Sequence, residues 1–126
     1  MKIILSEQAP KVVGPYSQAI ETGGLVFCSG QIGIDPQTST LLEGVEAQTH
    51  QIMKNVSAVL SQRGLSLNHI VKTTIFLASM QDYQKVNGIY GEYFTENKPA
   101  RSTIQVAGLP LGALIEIEVI AERNSD

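Results

Sequence analysis

Residues Arg101–Glu122 read RSTIQVAGLPLGALIEIEVIAE, and their alternation decides the fold class. The stretch reads as two β-strands joined by a Gly/Pro-rich connection. In the first, Ile104 and Val106 alternate with Thr103 and Gln105, and Arg101 has the parity of the polar pair. In the second, Ile115, Ile117, Val119 and Ala121 alternate with Glu116, Glu118 and Glu122. Successive side chains on a strand point to opposite faces, so an arginine and an acid sit on strands whose other face is apolar. A cation beside sheet core needs an anion, because an unpaired buried charge is strongly destabilising. That anion is Glu116, Glu118 or a carboxylate brought by a ligand, and the pattern alone leaves all of these open.

Working outward, Ile70–Leu77 is rich in β-branched residues and predicts a strand. Val45–Gln62 predicts an amphipathic helix, with Val45, Ile52, Val56, Val59 and Leu60 at helical spacing and Gly64 placed to end it. Ser79–Asp82 resembles a capping box, with Asp in place of the usual Glu or Gln. It opens a second helix with Tyr83, Val86, Tyr90 and Phe94 along one stripe. Nearer the N-terminus, Lys2–Leu5 predicts a short strand. Ala19–Thr22 and Leu25–Ser29 flank Gly23-Gly24, a hairpin signal because both glycines tolerate positive φ. Gly30 and Gly33 loosen the strand that follows, and Asp35-Pro36 starts a turn. The order is three strands, a helix, a strand, a helix and two strands, which predicts an α+β domain with one sheet and both helices on one face. The other face keeps apolar residues such as Ile120. An uncovered face of this kind predicts a homo-oligomer with functional groups near the subunit seams.

The chain has 126 residues, which suits one domain over residues 1–126, and 43% of them are hydrophobic. Nine basic residues against twelve acidic give a net charge of −3, which argues against nucleic-acid binding by bulk charge. Cys28 is the single cysteine, so no intrachain disulfide forms, which fits a reducing compartment. The apolar run Ile3–Leu5 is too short for a signal-peptide core or a membrane span. These features predict a soluble, cytoplasmic protein that needs no membrane partner.

The blocks GPYSQA (Gly14–Ala19), CSGQIGID (Cys28–Asp35), VKTTIFL (Val71–Leu77), VNGIYGEYF (Val86–Phe94), PARSTIQVAGLP (Pro99–Pro110) and IEIEVIA (Ile115–Ala121) occur in that order across the chain. Together they resemble the RidA family of reactive intermediate/imine deaminases, also called YjgF-type proteins. The resemblance implies a chorismate-mutase-like fold, a six-stranded mixed sheet with two helices on one face, and a homotrimer with clefts between subunits. It implies a hydrolase of the 2-iminobutanoate/2-iminopropanoate deaminase type. Such an enzyme converts 2-enamino and 2-imino acids, such as 2-aminoacrylate, to 2-keto acids and ammonia without a cofactor. Carried over by position, Arg101 would grip the substrate carboxylate and Glu116 would position or activate water. Tyr16 and Ser29 would line the cleft, and Gly30 and Asn87 would help shape it. Thr103 stands where many members have cysteine; this removes a thiol role but leaves its backbone N–H for carboxylate binding.

The residue types suit that chemistry. Guanidinium offers a two-pronged donor matched to a carboxylate. An imine carbon then needs only one placed water and one carboxylate. Plainer readings compete. Arg101 forms a structural salt bridge to Glu116 or Glu118, and Glu118 shares the face of Glu116 and rivals it as the acid. Ser29 satisfies a local backbone group, and Cys28 is a packed thiol. Tyr90, Tyr93 and Phe94 read as core or interface rather than a stacking platform. His50 and His69 have no zinc-ligand spacing, so no metal site is expected. Two other functions compete with the deaminase. One is an endoribonuclease or translation inhibitor using Arg101 and Lys72 on phosphates. The other is a non-catalytic regulatory trimer that binds 2-keto acids.

Overall fold

Gly23 and Gly24, at φ 59° and 80°, reverse the chain between strands β2 (Ala19–Thr22) and β3 (Leu25–Ile32). That hairpin lies within a six-stranded sheet, next to its β1 edge, in a computed structural model that describes residues 1–123. The remaining strands are β1 (Lys2–Ile4), β4 (Ile34–Asp35), β5 (Thr40–Leu41), β6 (Ile70–Leu77), β7 (Ala100–Gln105) and β8 (Ile115–Glu122). The helices are α1 (Val45–Ser61) and α2 (Tyr83–Tyr93). The sheet order is β1-β2-β3-β8-β6-β7. All neighbours are antiparallel except β6 and β7, which α2 connects as a parallel pair.

The predicted elements form with three differences. Strand β3 does not end at Ser29. It continues to Ile32 through a bulge in which Ser29 and Gly30 stand opposite Glu118. The Asp35-Pro36 turn is the head of a separate two-stranded ribbon, β4–β5. Ser79 caps a 3₁₀ turn over Met80–Asp82, accepting from Gln81 N at 3.1 Å, and α2 begins only at Tyr83. Gly64, at φ 72°, ends α1 as predicted, with Leu65 N reaching back to Leu60 O at 3.1 Å.

Helix α1 packs on β3 and β8 and alongside α2. Its apolar stripe, Ile52, Met53, Val56, Val59 and Leu60, is almost wholly buried against Val26, Ile75, Ile117 and Val119. A close backbone approach brings α1 down. A Cβ at Gly33 would sit 2.5 Å from Gln48 Cα, so only glycine fits there. The buried Gln48 side chain then donates to Leu42 O at 2.9 Å and accepts from Leu114 N at 2.8 Å. It ties the ribbon and the β7–β8 connection to the helix.

Residues paired across a ladder share a face of the sheet. Cys28, Val119, Thr73 and Arg101 therefore form one row under the helices, and Gln31, Ile117, Ile75 and Thr103 form the next. The opposite face carries Ile32, Glu116, Phe76 and Ile104 in one row and Ile3, Ile20, Phe27, Ile120 and Lys72 in another. No helix covers it. Phe27 is 42% exposed, Ile104 47% and Ile3 67%. Burial leaves the thiol of Cys28 on the helix side, pushed up to about 12.

One ion cluster locks the far edge. Glu21 on β2 is buried and takes Arg63 Nε at 2.6 Å, from just beyond α1. It also pairs with Arg123, from the end of β8. Arg123 further donates to Arg63 O at 2.8 Å. The hydrogen bonds from Arg123 and then Arg63 hold the Glu21 carboxyl at about 2, against an ordinary 4.5. A depressed carboxyl contributes stability that is complete above the unfolded pKa and is lost as pH falls towards the folded one. Wild type is therefore expected to melt above Glu21→Gln at pH 7, with the gap closing between about pH 4.5 and 2. Thermal melts across that range test this, and a gap independent of pH would contradict it.

Candidate functional site

Pro10 and Pro15 keep the segment before β2 irregular, so its backbone polar groups need side-chain partners. Gln18 supplies them. Its buried amide accepts from Ser6 N at 2.6 Å and donates to Ser6 O at 3.1 Å and Pro10 O at 2.9 Å. Ser29 adds a tie from β3, its hydroxyl donating to Ser17 O at 2.6 Å. That proton is thus engaged by the chain itself, in line with the plainer reading of Ser29. With the segment pinned at both ends, the Gly14-Pro15 turn presents Tyr16, which is 54% exposed, to a cavity of about 450 Å³.

Glu116 lies in the wall of that cavity, on the uncovered face, beside Gly30, Ile32 and Tyr16. The bulge explains its room. A Cβ at Gly30 would fall 2.8 Å from Glu116 Cδ and overlap the carboxylate. Burial pushes the Glu116 carboxyl above the ordinary carboxylate value, and the like charge of Glu118 raises it further. Glu118 is exposed and opens instead onto a smaller depression of about 170 Å³ with Lys72 and Thr74.

Arg101 occupies the other face. Its guanidinium lies over two aromatic rings of α2, 5.0 Å from the centroid of Tyr90 and 5.8 Å from that of Tyr83. Its Nη2 donates to Tyr83 Oη at 3.1 Å. Tyr90 is fixed in turn by Thr73, hydroxyl to hydroxyl at 2.8 Å, and by its tilted contact with Phe94 at 4.6 Å. A hydrogen bond from Asn87, then the Arg101 charge, lowers the pKa of Tyr83. Among the described residues Arg101 makes no ion pair; the salt bridge to Glu116 or Glu118 does not form, because the sheet separates them. The guanidinium faces a cavity of about 310 Å³ lined by Asn87, Tyr90, Lys98 and Pro99. Two residues along the strand, on the same face, Thr103 Oγ1 is buried with no hydrogen-bond partner.

The residues singled out in the sequence thus fall into two groups on one chain. Arg101, Asn87 and Thr103 belong to the helix side, and Glu116, Tyr16 and Gly30 to the open side, with Ser29 bracing the latter. Tyr90 and Phe94 are buried in the core, as the sequence predicts, and the Tyr90 ring also carries the Arg101 guanidinium. Tyr83, Asn87 and Tyr90 stand at i, i+4 and i+7 on α2, and that spacing is the signal that could have found them. Tyr93 Oη instead shares a 2.6 Å hydrogen bond with His50 Nδ1. Among the described residues no group of three or more His, Cys, Asp or Glu is placed to hold a metal ion.

Fold and site define a small α+β protein that offers a lone guanidinium on one side of its sheet and a raised carboxyl on the other. Residues 6–123 match the sequence profile of the family described as Endoribonuclease L-PSP. Reactive Intermediate Deaminase A, chloroplastic, of Arabidopsis thaliana is 50% identical over 121 residues, covering 95% of this chain and 65% of that protein. A RutC family protein of Pyrococcus horikoshii is 48% identical over 98% of both chains. The crystal structure of E. coli TdcF with bound serine superposes with a TM-score of 0.95 at 39% identity, covering 98% of this chain and 100% of that one. The chain belongs to the RidA family.

The two causes acting on Glu116 are separable. In Glu118→Gln its titration midpoint is expected to fall towards the ordinary range yet stay above it, because burial is the larger cause. Carboxyl ¹³C NMR over a pH series reads this directly. An unmoved or higher midpoint would mean that the two carboxylates do not interact.

Proposed function

We propose that the protein is a cytoplasmic hydrolase of 2-imino and 2-enamino acids. It would act as a chorismate-mutase-like, one-domain homotrimer whose seams join the Arg101 side of one protomer to the Glu116 side of the next. The observation that carries this reading is the Arg101 guanidinium, held by Tyr83 and Tyr90, without an ion pair among the described residues, and facing a cavity. One of its five N–H donors goes to Tyr83, and among the described residues the others have no partner, which leaves them to serve a carboxylate. Lys98 adds a second cation to the cavity wall, and Thr103 leaves an unused hydroxyl nearby. The serine bound to TdcF carries a carboxylate of the kind this arrangement suits.

The chemistry divides between the two groups. Arg101 binds the substrate carboxylate and fixes the C=N carbon beside Glu116. A water gives a proton to the Glu116 carboxylate as its oxygen bonds to that carbon. Glu116 returns the proton to nitrogen, which gives a carbinolamine; the hydroxyl proton then passes through Glu116 to nitrogen as C=O forms and the C–N bond breaks, and ammonia leaves a 2-keto acid. An enamine substrate first takes a proton at its terminal carbon and gives one up from nitrogen, and so becomes the imine. The raised pKa of Glu116 favours a group that must accept and return a proton near neutral pH.

Because Arg101 and Glu116 lie on opposite faces of one sheet, one chain does not bring them to a common substrate. The exposed apolar face with Phe27, Ile104 and Ile3 supports association, and a head-to-tail contact closes into a ring. The acidic balance of −3 favours a small anion at a local site over RNA cleavage, despite the family's description. Among the described residues no helix is long and apolar enough to cross a membrane.

Subunit mixing tests the reading. Arg101→Ala and Glu116→Ala are each expected to lower kcat/KM about a hundredfold or more, the scale of two lost charge-assisted hydrogen bonds. Unfolded and refolded together at equal amounts, they should recover about a quarter of wild-type activity, since random pairing round a closed ring restores that share of seams. The readout is keto-acid release from 2-imino acids made by an amino-acid oxidase with catalase. No recovery on mixing would rule out the shared site, and full activity in Arg101→Ala would rule out the deaminase.

A further inference from the structure

Among the described residues, the non-glycine positions with positive φ are Ser39 and Leu111, both at φ 58°. They lie far apart in sequence, yet both line the Glu116 cavity. Leu111 and Gly112, at φ 58° and 70°, are the two central residues of a tight turn closed by Ala113 N to Pro110 O at 3.0 Å. A turn with two positive φ angles favours Asn, Asp or Gly at its first central position, and a leucine there is sterically strained. The leucine recovers nothing from core packing, because it is 73% exposed. Strain of this kind persists where the side chain is needed in place.

The side chain faces the cavity in apolar company. Val12, Val13, Ile32 and Ile34 line the same space, and Val13 is 90% exposed. The volume, about 450 Å³, falls in the range of small-molecule sites. A substrate as small as 2-aminoacrylate would place only a methylene group there. Lys11 is the one cation in the wall, so an acidic side chain is the competing occupant.

We propose that the Glu116 cavity selects substrates by side chain, favouring 2-imino acids with branched apolar chains, and that Leu111 and Val13 are specificity-determining residues in its wall. This rests on the deaminase reading and names the substrate class of the same site.

The experiment compares kcat/KM for the imines of leucine, alanine and glutamate, generated in place by an amino-acid oxidase with catalase, in wild type, Leu111→Gly and Val13→Ser. Wild type is expected to prefer the leucine-derived imine over the alanine-derived one by about tenfold or more, the scale of added methylenes in an apolar pocket. Both variants should lower that ratio by several-fold, and a ratio is insensitive to the amount of folded enzyme. Leu111→Gly should melt no lower than wild type, since glycine relieves the left-handed strain. A preference for the alanine- or glutamate-derived imine, or ratios unchanged in both variants, would overturn the selectivity while leaving the deaminase intact. Acceleration of none of the three would overturn both.

Discussion

Strand β6 holds β7 on one side and β8 on the other, and that shared neighbour fixes the site. Thr73 aligns with Arg101 and with Val119, so the guanidinium is committed to the helix face. Phe76 aligns with Ile104 and with Glu116, so the carboxylate is committed to the open one. A slip of β7 by one residue would exchange these faces and drive Ile104 under the helices in place of Thr103. The buried Ile75 and Ile117, in the row that includes Thr103, oppose such a slip. The packing that stabilises the sheet is thus the constraint that keeps cation and acid apart on each chain. It is also why catalysis, as proposed, needs a second copy.

Each group is then tuned by a different local device. Arg101 has aromatic rings and a phenol as neighbours, which hold a guanidinium without cancelling its charge. The contrast within the same molecule is Glu21, where two guanidiniums share one carboxylate and are used for stability. Glu116 has the opposite treatment. The bulge at Ser29–Gly30 removes side-chain volume in front of it, and no cation approaches within salt-bridge distance among the described residues. Burial and a like charge therefore act on it unopposed.

Much of this was legible in the sequence because it is local. Alternation marked β7 and β8, helical spacing marked α1, and paired glycines marked the β2–β3 hairpin. The parity of Glu116 and Glu118 was readable within one strand. What was not readable depends on register between strands. No pattern within Arg101–Glu122 states that β8 lies between β3 and β6, and hence that Arg101 and Glu116 face opposite ways. The Glu21 cluster joins residues from β2, the end of α1 and the end of β8, so it has no local signal. Strand β3 was cut short because glycine was read as a breaker, whereas Gly30 sits in a bulge that the ladder spans. Leu111 gave no warning either, since a Pro-Leu-Gly run does not ask for a left-handed leucine.

Departures from local rules gather around the two cavities. Elsewhere the chain satisfies itself: Gln48 and Asn55 each find backbone partners for buried amides. The buried side-chain polar atom without a partner, among the described residues, is Thr103 Oγ1, beside Arg101. The strained non-glycine backbone positions border Glu116. Locally consistent sequence builds a stable fold, and exceptions that confer no stability are retained for another reason. Here a spare hydroxyl and an unpaired cation lie on one face, and a raised acid with a strained apolar rim lies on the other. On the proposed reading these are complementary halves of a receptor for a small molecule with an anionic head and an apolar tail.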